Sequence, residues 1–170
     1  MINTEELYID FDEVIFPTWK PMYDEYKEKK IIIPELDLTS YIQNYDWEKL
    51  LDEIDPIPGS IEMLREFRKS IVLSKINSLN EANAKLKKLR NLEIKNDIIF
   101  CPYELKKSDI INPKGKILID DTIHNLDDWY QKGGASIYFN KDNENKDSWG
   151  NFNTKYIKIK SLTQIKDIEF

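Results

Sequence analysis

Six short apolar runs recur along this chain, and their recurrence constrains the fold more than any other feature. They are rich in β-branched and aromatic residues, which is typical of strands. The runs lie at residues 7–11, 70–74, 97–101, 116–120, 135–139 and 156–159. Helical patterns separate most of them; in one of these Leu126, Trp129 and Tyr130 share a face, and Gly133 and Gly134 end the helix. This alternation predicts an α/β fold, in which helices flank a parallel sheet.

Two of the helices between strands have recognisable starts. Ser60 can cap one helix, and either Ser78 or Asn80 can open the next. The apolar positions of that next helix are Ala82, Leu86 and Leu89.

The region at residues 15–57, called the insert below, interrupts the alternation because no run in it reads as a core strand. Its pattern predicts short helices at 18–29, 38–43 and 46–54, with Thr18 and Asp46 as N-caps. The insert is dense in aromatic residues: Phe16, Trp19, Tyr23, Tyr26, Tyr41, Tyr45 and Trp47. Most of these are expected to form the insert's own core, while one or two can face a cleft and stack on the flat ring of a ligand.

The position of the insert predicts the domain organisation. An insert directly after the first strand lies over the carboxyl end of that strand, which makes it a candidate lid. We therefore expect a single domain, with a core at 1–14 and 58–170 and a helical cap at 15–57.

Composition limits the function classes. A net charge of -6 disfavours a nucleic-acid polymer as partner, since polymer phosphates need many Lys and Arg, but it leaves room for a small phosphorylated ligand. A single cysteine, Cys101, and a single histidine, His124, exclude an internal disulfide, a cysteine-based metal cluster and a multi-histidine zinc site. The polar start and the lack of a long apolar run predict a cytosolic protein without membrane contact. The sequence does not determine the oligomeric state, and a homodimer is possible.

Two carboxylates follow the first run and are separated by one residue, Asp10 and Asp12. Side chains alternate along a strand, so the two start on the same side. Such like charges are tolerable if a cation lies between them or one stays protonated. Open α/β sheets place their chemistry at the carboxyl ends of strands. An acidic turn in which Asp10 caps a loop would explain the pair equally well.

Further reactive groups lie at or near the ends of other strands. Ser74 ends the second run, Asp120 and Asp121 end the fourth, and Lys106 and Lys107 lie in the loop before it. Each of these features alone is weak evidence for a functional site, because hydroxyls and acids after strands often cap helices and loop lysines are usually solvated. Together they supply a carboxylate nucleophile, an acid/base, and groups that hold phosphoryl oxygens. The carboxylates also form an oxygen-rich site suited to Mg²⁺.

The order Asp-x-Asp, Ser, Lys, Asp-Asp resembles that of the haloacid dehalogenase (HAD) superfamily of phosphohydrolases. The matching stretches are 8–14, 71–74, 107–109 and 117–121, and they span nearly the whole chain. Two stretches, 10–15 and 117–126, look most like the 5'(3')-deoxyribonucleotidase branch. The resemblance implies a Rossmann-like parallel sheet with a small helical cap after the first strand, Mg²⁺ as cofactor, and a (deoxy)nucleoside monophosphate as substrate.

The resemblance also implies roles for the acids. Asp10 is expected to be the nucleophile and a metal ligand. Asp12 is expected to be the general acid/base and to reach the metal through its backbone carbonyl. Asp120 is the expected third metal ligand. Asp121 is expected either to support the ligands without contacting the metal or to reach it through water. The sequence departs from many members at Glu13, where they have glycine.

Substrate contacts complete the expected site. By the same resemblance, Ser74 and Lys107 bind the phosphate, with Lys106 still open in place of Lys107. Phe16 and Trp19 are the aromatic residues that we expect to stack on a base, and so to select nucleotides.

Other interpretations compete with a nucleotidase. A receiver domain also pairs acids after its first strand, but its acceptor aspartate follows the third strand, and here the third run ends in Cys101 and Pro102. A non-catalytic HAD-like binding module stays open, although all four motifs keep their reactive groups. Among enzymes, the alternatives are a phosphatase for another small metabolite and a 3'-phosphatase for nucleic-acid ends, and the acidic balance disfavours the second.

Overall fold

The computed structural model describes residues 6–142 and 156–168. Within these ranges a parallel sheet has the strand order β3-β2-β1-β4-β5-β6. The strands are β1 (Leu7–Ile9), β2 (Ile71–Ile76), β3 (Ile98–Pro102), β4 (Ile117–Asp120), β5 (Ala135–Phe139) and β6 (Ile157–Ile159). Each lies on one of the predicted runs, so the predicted α/β fold is confirmed.

Helices connect the strands. They are α1 (Trp19–Ile32), α2 (Leu38–Gln43), α3 (Trp47–Glu53), α4 (Ser60–Glu66), α5 (Leu79–Asn91), α6 (Lys107–Ile110) and α7 (Ile123–Gln131), and a 3-10 helix follows at Leu162–Asp167. In the described part of the chain, no helix is both long and apolar enough to cross a membrane.

The strand order reverses between β1 and β4. From β1 the chain adds β2 and β3 on one side, and then crosses back to place β4 on the other side. Ile9 pairs with Ile119, and the Asp10 amide donates to the Ile119 carbonyl at 2.9 Å. Asp10 and Asp120 therefore lie side by side at the carboxyl edge, where open sheets of this kind bind ligands.

The side chains of the sheet alternate between two buried clusters. Leu7 and Ile9 join the larger cluster together with Ile119, whereas Tyr8 joins the smaller one together with Leu118. Because both faces are covered, successive positions of a strand are apolar. This explains why the sequence shows continuous apolar runs rather than an apolar–polar alternation.

The insert forms the helices that its pattern predicts. Asp46 caps α3 by accepting a hydrogen bond from the Lys49 amide at 3.0 Å. Thr18 is the N-cap residue of α1, as predicted, but its side chain makes no capping hydrogen bond. Its hydroxyl donates instead to Asp12 Oδ1 at 2.7 Å, which links the insert to the acid pair.

The aromatic residues of the insert form a continuous series of ring contacts. Successive centroids lie 5.2–5.8 Å apart along Trp19, Tyr23, Tyr26, Tyr41, Tyr45 and Trp47. The last four of these rings are buried. These four residues belong to the same buried cluster as Phe11 and Leu89, so the aromatic residues of the insert extend the main core instead of forming the predicted separate core.

The helices of the core differ from their predictions in one detail. Gly59, at φ 83°, is the N-cap of α4, and the Ser60 hydroxyl donates instead to the Ile15 carbonyl at 3.1 Å. Ser78 caps α5 as predicted. On α5, Ala82 and Leu89 are buried, whereas Leu86 is exposed and Lys85 is fully buried.

Candidate active site

Three carboxylates converge at the carboxyl edge of β1 and β4. One oxygen each of Asp10, Asp120 and Asp121 lies within 4.8 Å of the others. Asp10 and Asp120 are buried, and Asp121 is half-buried. The structure thus brings together the acids of the first and fourth strands.

Lys107, the first residue of α6, lies between two of these acids. Its Nζ is 2.8 Å from Asp10 Oδ1 and 2.6 Å from Asp120 Oδ2, and its side chain is 2% exposed. Burial lowers the pKa of Lys107, but the two carboxylates outweigh burial, so the pKa lies above its ordinary value. Lys106 is 64% exposed and pairs with Asp128 at 3.1 Å, so of the two candidates it is Lys107 that reaches the acids.

The negative charge of Asp10 is unfavourable in its buried surroundings. Burial, and next the charge of Asp120, raise its pKa to about 7, against the opposing effect of the Lys107 ammonium. The Lys107 ammonium does not balance the two buried carboxylates of Asp10 and Asp120. A hard divalent cation bound by carboxylate oxygens would balance them, and Asp10, Asp120 and Asp121 offer the all-oxygen donor set that Mg²⁺ prefers. The residues present therefore fit this ion.

Hydrogen bonds fix the orientation of Asp120. Its Oδ1 accepts from the Thr122 amide at 2.8 Å, and its Oδ2 accepts from Asn125 Nδ2 at 3.0 Å as well as from Lys107. Asn125 lies in the first turn of α7, so the start of this helix supports the acid. His124, on the same turn, is exposed and lines the cavity described below.

Asp12 lies apart from this cluster. Its carboxylate is 30% exposed; Oδ1 accepts from the Thr18 hydroxyl and Oδ2 from Lys85 Nζ, both at 2.7 Å. The next residue, Glu13, takes the left-handed backbone conformation (φ 61°) that glycine adopts most easily. Glu13 Oε1 accepts from the Trp19 amide at 2.8 Å, so its side chain also supports the start of α1.

Ser74 lies within β2 rather than at its end. Its hydroxyl is buried, accepts from Lys85 Nζ at 3.0 Å, and donates to the Lys75 carbonyl at 3.2 Å. It does not line the cavity described next, whereas Lys75 does. Phosphate binding by Ser74 stays a prediction.

Lys85 is the residue that the sequence analysis missed. It lies one helical turn after Glu81 on the buried face of α5, and the two side chains form an ion pair at 2.6 Å. The available signal was this Glu–Lys spacing next to Leu89, which places two charges on a face that should be apolar. Sequence alone gives no sign that Asp12 also contacts Lys85.

A cavity of about 900 Å³ opens over the acids, between the insert and the carboxyl edge of the sheet. From the sheet side it is lined by Asp10, Asp12, Lys75, Tyr103, Lys107 and Asp121. From the insert it is lined by Trp19, Met22, Leu38, Thr39, Ile42 and Trp47. The cavity therefore joins the reactive groups to the largely apolar underside of the insert.

The two aromatic residues that we expect to stack on a nucleotide base differ in position. Trp19 is 48% exposed and ends the aromatic series at the cavity wall. Phe16 is fully buried, stacks on Phe11 with centroids 5.3 Å apart, and does not line the cavity. The expectation for Phe16 is corrected accordingly: its ring belongs to the hydrophobic core and is not available to a ligand.

No protein-family model matches the sequence, and no curated protein does so either. Solved structures do match. A HAD-like hydrolase from Streptococcus pneumoniae has a TM-score of 0.62 at 15% identity, covering 95% of this chain and 96% of that one. A D,D-heptose 1,7-bisphosphate phosphatase from B. bronchiseptica, complexed with magnesium and phosphate, has a TM-score of 0.61 at 16% identity, covering 95% and 96%.

A third similar structure is a HAD phosphatase from Thermococcus onnurineus, with a TM-score of 0.59 at 13% identity and 95% of each chain covered. At these identities the likeness concerns the fold. The chain therefore has the Rossmann-like α/β fold seen in HAD-type hydrolases.

Proposed function

We propose that this protein is a Mg²⁺-dependent phosphomonoester hydrolase that works through an aspartyl phosphate at Asp10. The observation that carries the proposal is the convergence of Asp10, Asp120, Asp121 and Lys107 beneath the cavity. This group combines a nucleophile, a cation site and a fixed ammonium, which are the parts that phosphoryl transfer requires. The solved phosphatases of the same fold support this reaction class.

In the proposed reaction, Asp10, Asp12 and Lys107 each have a separate role. Asp10 attacks the phosphorus and displaces the ester oxygen, which takes a proton from Asp12. Asp12 then accepts a proton from water, which attacks the phosphorus and releases phosphate and the Asp10 carboxylate. Lys107 stabilises the negative charge around Asp10 in both steps. Asp10, Asp120 and Asp121 would hold Mg²⁺, with the Asp12 carbonyl proposed as a further ligand, and the bound ion would supply further positive charge to the phosphoryl oxygens.

The proposed substrate is a small phosphorylated molecule, and specifically a (deoxy)nucleoside monophosphate. Trp19 offers an exposed ring at the wall of the cavity, on which a base can stack. Lys75, which also lines the cavity, adds positive charge. The insert, proposed as a cap over the core, would cover the substrate and exclude water during transfer. A nucleic-acid polymer is not part of the proposal, because the chain is acidic overall.

A panel of phosphomonoesters tests the reaction class. With Mg²⁺, the protein is expected to release inorganic phosphate from p-nitrophenyl phosphate and from some nucleoside monophosphates or sugar phosphates. EDTA is expected to lower the rate at least about a hundredfold, and added Mg²⁺ to restore it, because the metal contributes several kcal/mol to charge stabilisation. Failure to hydrolyse any ester in the presence of Mg²⁺ would favour a non-catalytic binding module.

Replacing Trp19 by alanine tests the substrate class. Loss of base stacking is expected to lower kcat/KM for nucleoside monophosphates roughly 5- to 150-fold, with little change for sugar phosphates. Tyr130→Ala is the matched control, since this aromatic residue is equally exposed, at 49%, but lies outside the cavity. An unchanged ratio of nucleotide to sugar-phosphate turnover in Trp19→Ala would show that Trp19 does not select nucleotides.

A further inference from the structure

Both oxygens of the Asp12 carboxylate are held by donors. Thr18 Oγ1 lies 2.7 Å from Oδ1, and Lys85 Nζ lies 2.7 Å from Oδ2. The donors come from different parts of the fold, since Thr18 stands at the start of the insert and Lys85 on helix α5 of the core. Together they restrict rotation of the carboxyl group about its last side-chain bond.

Lys85 has a second acidic partner besides Asp12. Glu81 Oε1 lies 2.6 Å from Lys85 Nζ, and both side chains are almost completely buried. Glu81 is held in turn by the backbone amide of Asn77, 2.8 Å from Oε2. Glu81 and Lys85 therefore form a neutral, fixed pair within α5, and this pair presents a donor to Asp12.

The surroundings of Lys85 leave its ammonium little freedom. It also lies 3.0 Å from Ser74 Oγ and 3.2 Å from the Lys75 carbonyl. The rings of Phe11 and Trp47 lie 5.1 and 5.7 Å from it. Because Trp47 belongs to the insert and also lines the cavity, Lys85 contacts the core, the insert and the acid pair at once.

We propose that Lys85 is a positioning residue, which orients the Asp12 carboxyl group for proton transfer. The inference rests on the proposed function and adds to it a residue outside the four motifs. Removing a buried charge that three polar side chains surround would disturb any fold, so the test needs a measurement that separates orientation of Asp12 from stability.

The leaving group provides that separation. An alkyl ester needs a proton from Asp12 as its oxygen departs, whereas p-nitrophenolate is stable enough to leave without one. Breakdown of the aspartyl phosphate needs Asp12 as a base whichever ester was used. A misoriented Asp12 should therefore slow transfer from alkyl esters, spare transfer from p-nitrophenyl phosphate, and slow breakdown for both.

Pre-steady-state kinetics of Lys85→Met tests this. The alkyl ester would be the one that the wild-type protein hydrolyses fastest. Phosphoryl transfer from this alkyl ester to Asp10 is expected to slow roughly 100-fold or more. Transfer from p-nitrophenyl phosphate is expected to slow less than about threefold. With p-nitrophenyl phosphate, a burst of about one p-nitrophenolate per protein should precede a slow steady state. Lys85→Arg, which keeps a donor near Asp12, is expected to recover part of the alkyl-ester rate.

Two further variants keep the test decisive. Lys88→Met on the same helix removes a lysine that pairs with Asp52 at 3.6 Å and has no contact with Asp12, and it should behave as the wild type. If Lys85→Met does not fold, the double variant Lys85→Met/Glu81→Gln removes both charges of the pair and is measured instead. Equal slowing of the two esters, or no slowing of either, overturns the role of Lys85 while leaving the proposed function intact. A wild-type protein that hydrolyses neither ester overturns both.

Discussion

Asp10→Asn is expected to lower phosphomonoester hydrolysis by roughly four orders of magnitude or more, because an amide cannot form the acyl phosphate. Asparagine keeps the size of the side chain and preserves one oxygen next to Lys107, from which Asp10 Oδ1 is 2.8 Å away. The measurement is release of inorganic phosphate with saturating Mg²⁺, compared with the wild-type protein.

Thermal unfolding provides the control for this variant. The pKa of Asp10 rises from 3.8 to about 7 in the folded protein, chiefly through burial. An acid whose pKa is raised on folding makes the fold less stable as pH increases from about 4 to about 7. At pH 8 without metal, Asp10→Asn should therefore unfold at the same temperature as the wild type or higher. An inactive variant of lower stability would leave misfolding as the explanation, and retained activity would contradict Asp10 as the nucleophile.

Lys107→Met is the second change with a large expected effect. It leaves the carboxylates of Asp10 and Asp120 buried without the ammonium that lies 2.8 and 2.6 Å from them. We expect a loss of about 3–5 kcal/mol in the free energy of unfolding without metal, the usual cost of breaking a buried ion pair. Hydrolysis should fall by about 100- to 1000-fold or more, because a fixed cation next to the nucleophile is lost. Denaturant unfolding and phosphate release measure the two effects.

Lys106→Met is the matched control, because it removes the same group one residue earlier. Lys106 is 64% exposed and pairs with Asp128 outside the acid cluster. Its loss should change stability by less than about 1 kcal/mol. If Lys106→Met were the more damaging substitution for hydrolysis, the assignment of Lys107 to the phosphoryl group would be wrong.

The strands and the acid cluster could be predicted because local sequence determines them. Leu7 to Ile9 and Ile117 to Ile119 are apolar on both faces, so each run identifies a buried parallel strand without knowledge of its neighbours. Once both are strands of one sheet, Asp10 and Asp120 must follow them at the same edge. The choice between Lys106 and Lys107 needed the structure, because it depends on where helix α6 begins.

Contacts between distant parts of the chain were not predictable in the same way. Lys85 and Asp12 are 73 residues apart, and nothing local to α5 indicates that its buried lysine faces the acid pair. Thr18 has the sequence context of a helix cap, yet its hydroxyl bonds to Asp12 because the turn through Glu13 brings the two together. Phe16 reads as one more aromatic residue of the insert, but packing on Phe11 removes it from the cavity.

The central claim is that the phosphoryl group passes through Asp10, and chemical trapping tests it most directly. Borohydride reduces an acyl phosphate to an alcohol, which would convert a phosphorylated aspartate into homoserine that peptide mass spectrometry can locate. In samples quenched during turnover with Mg²⁺, we predict homoserine at position 10 of the wild-type protein and none in Asp10→Asn. Homoserine at position 12 instead, or rapid hydrolysis with no modified aspartate at any quench time, would contradict the proposed mechanism.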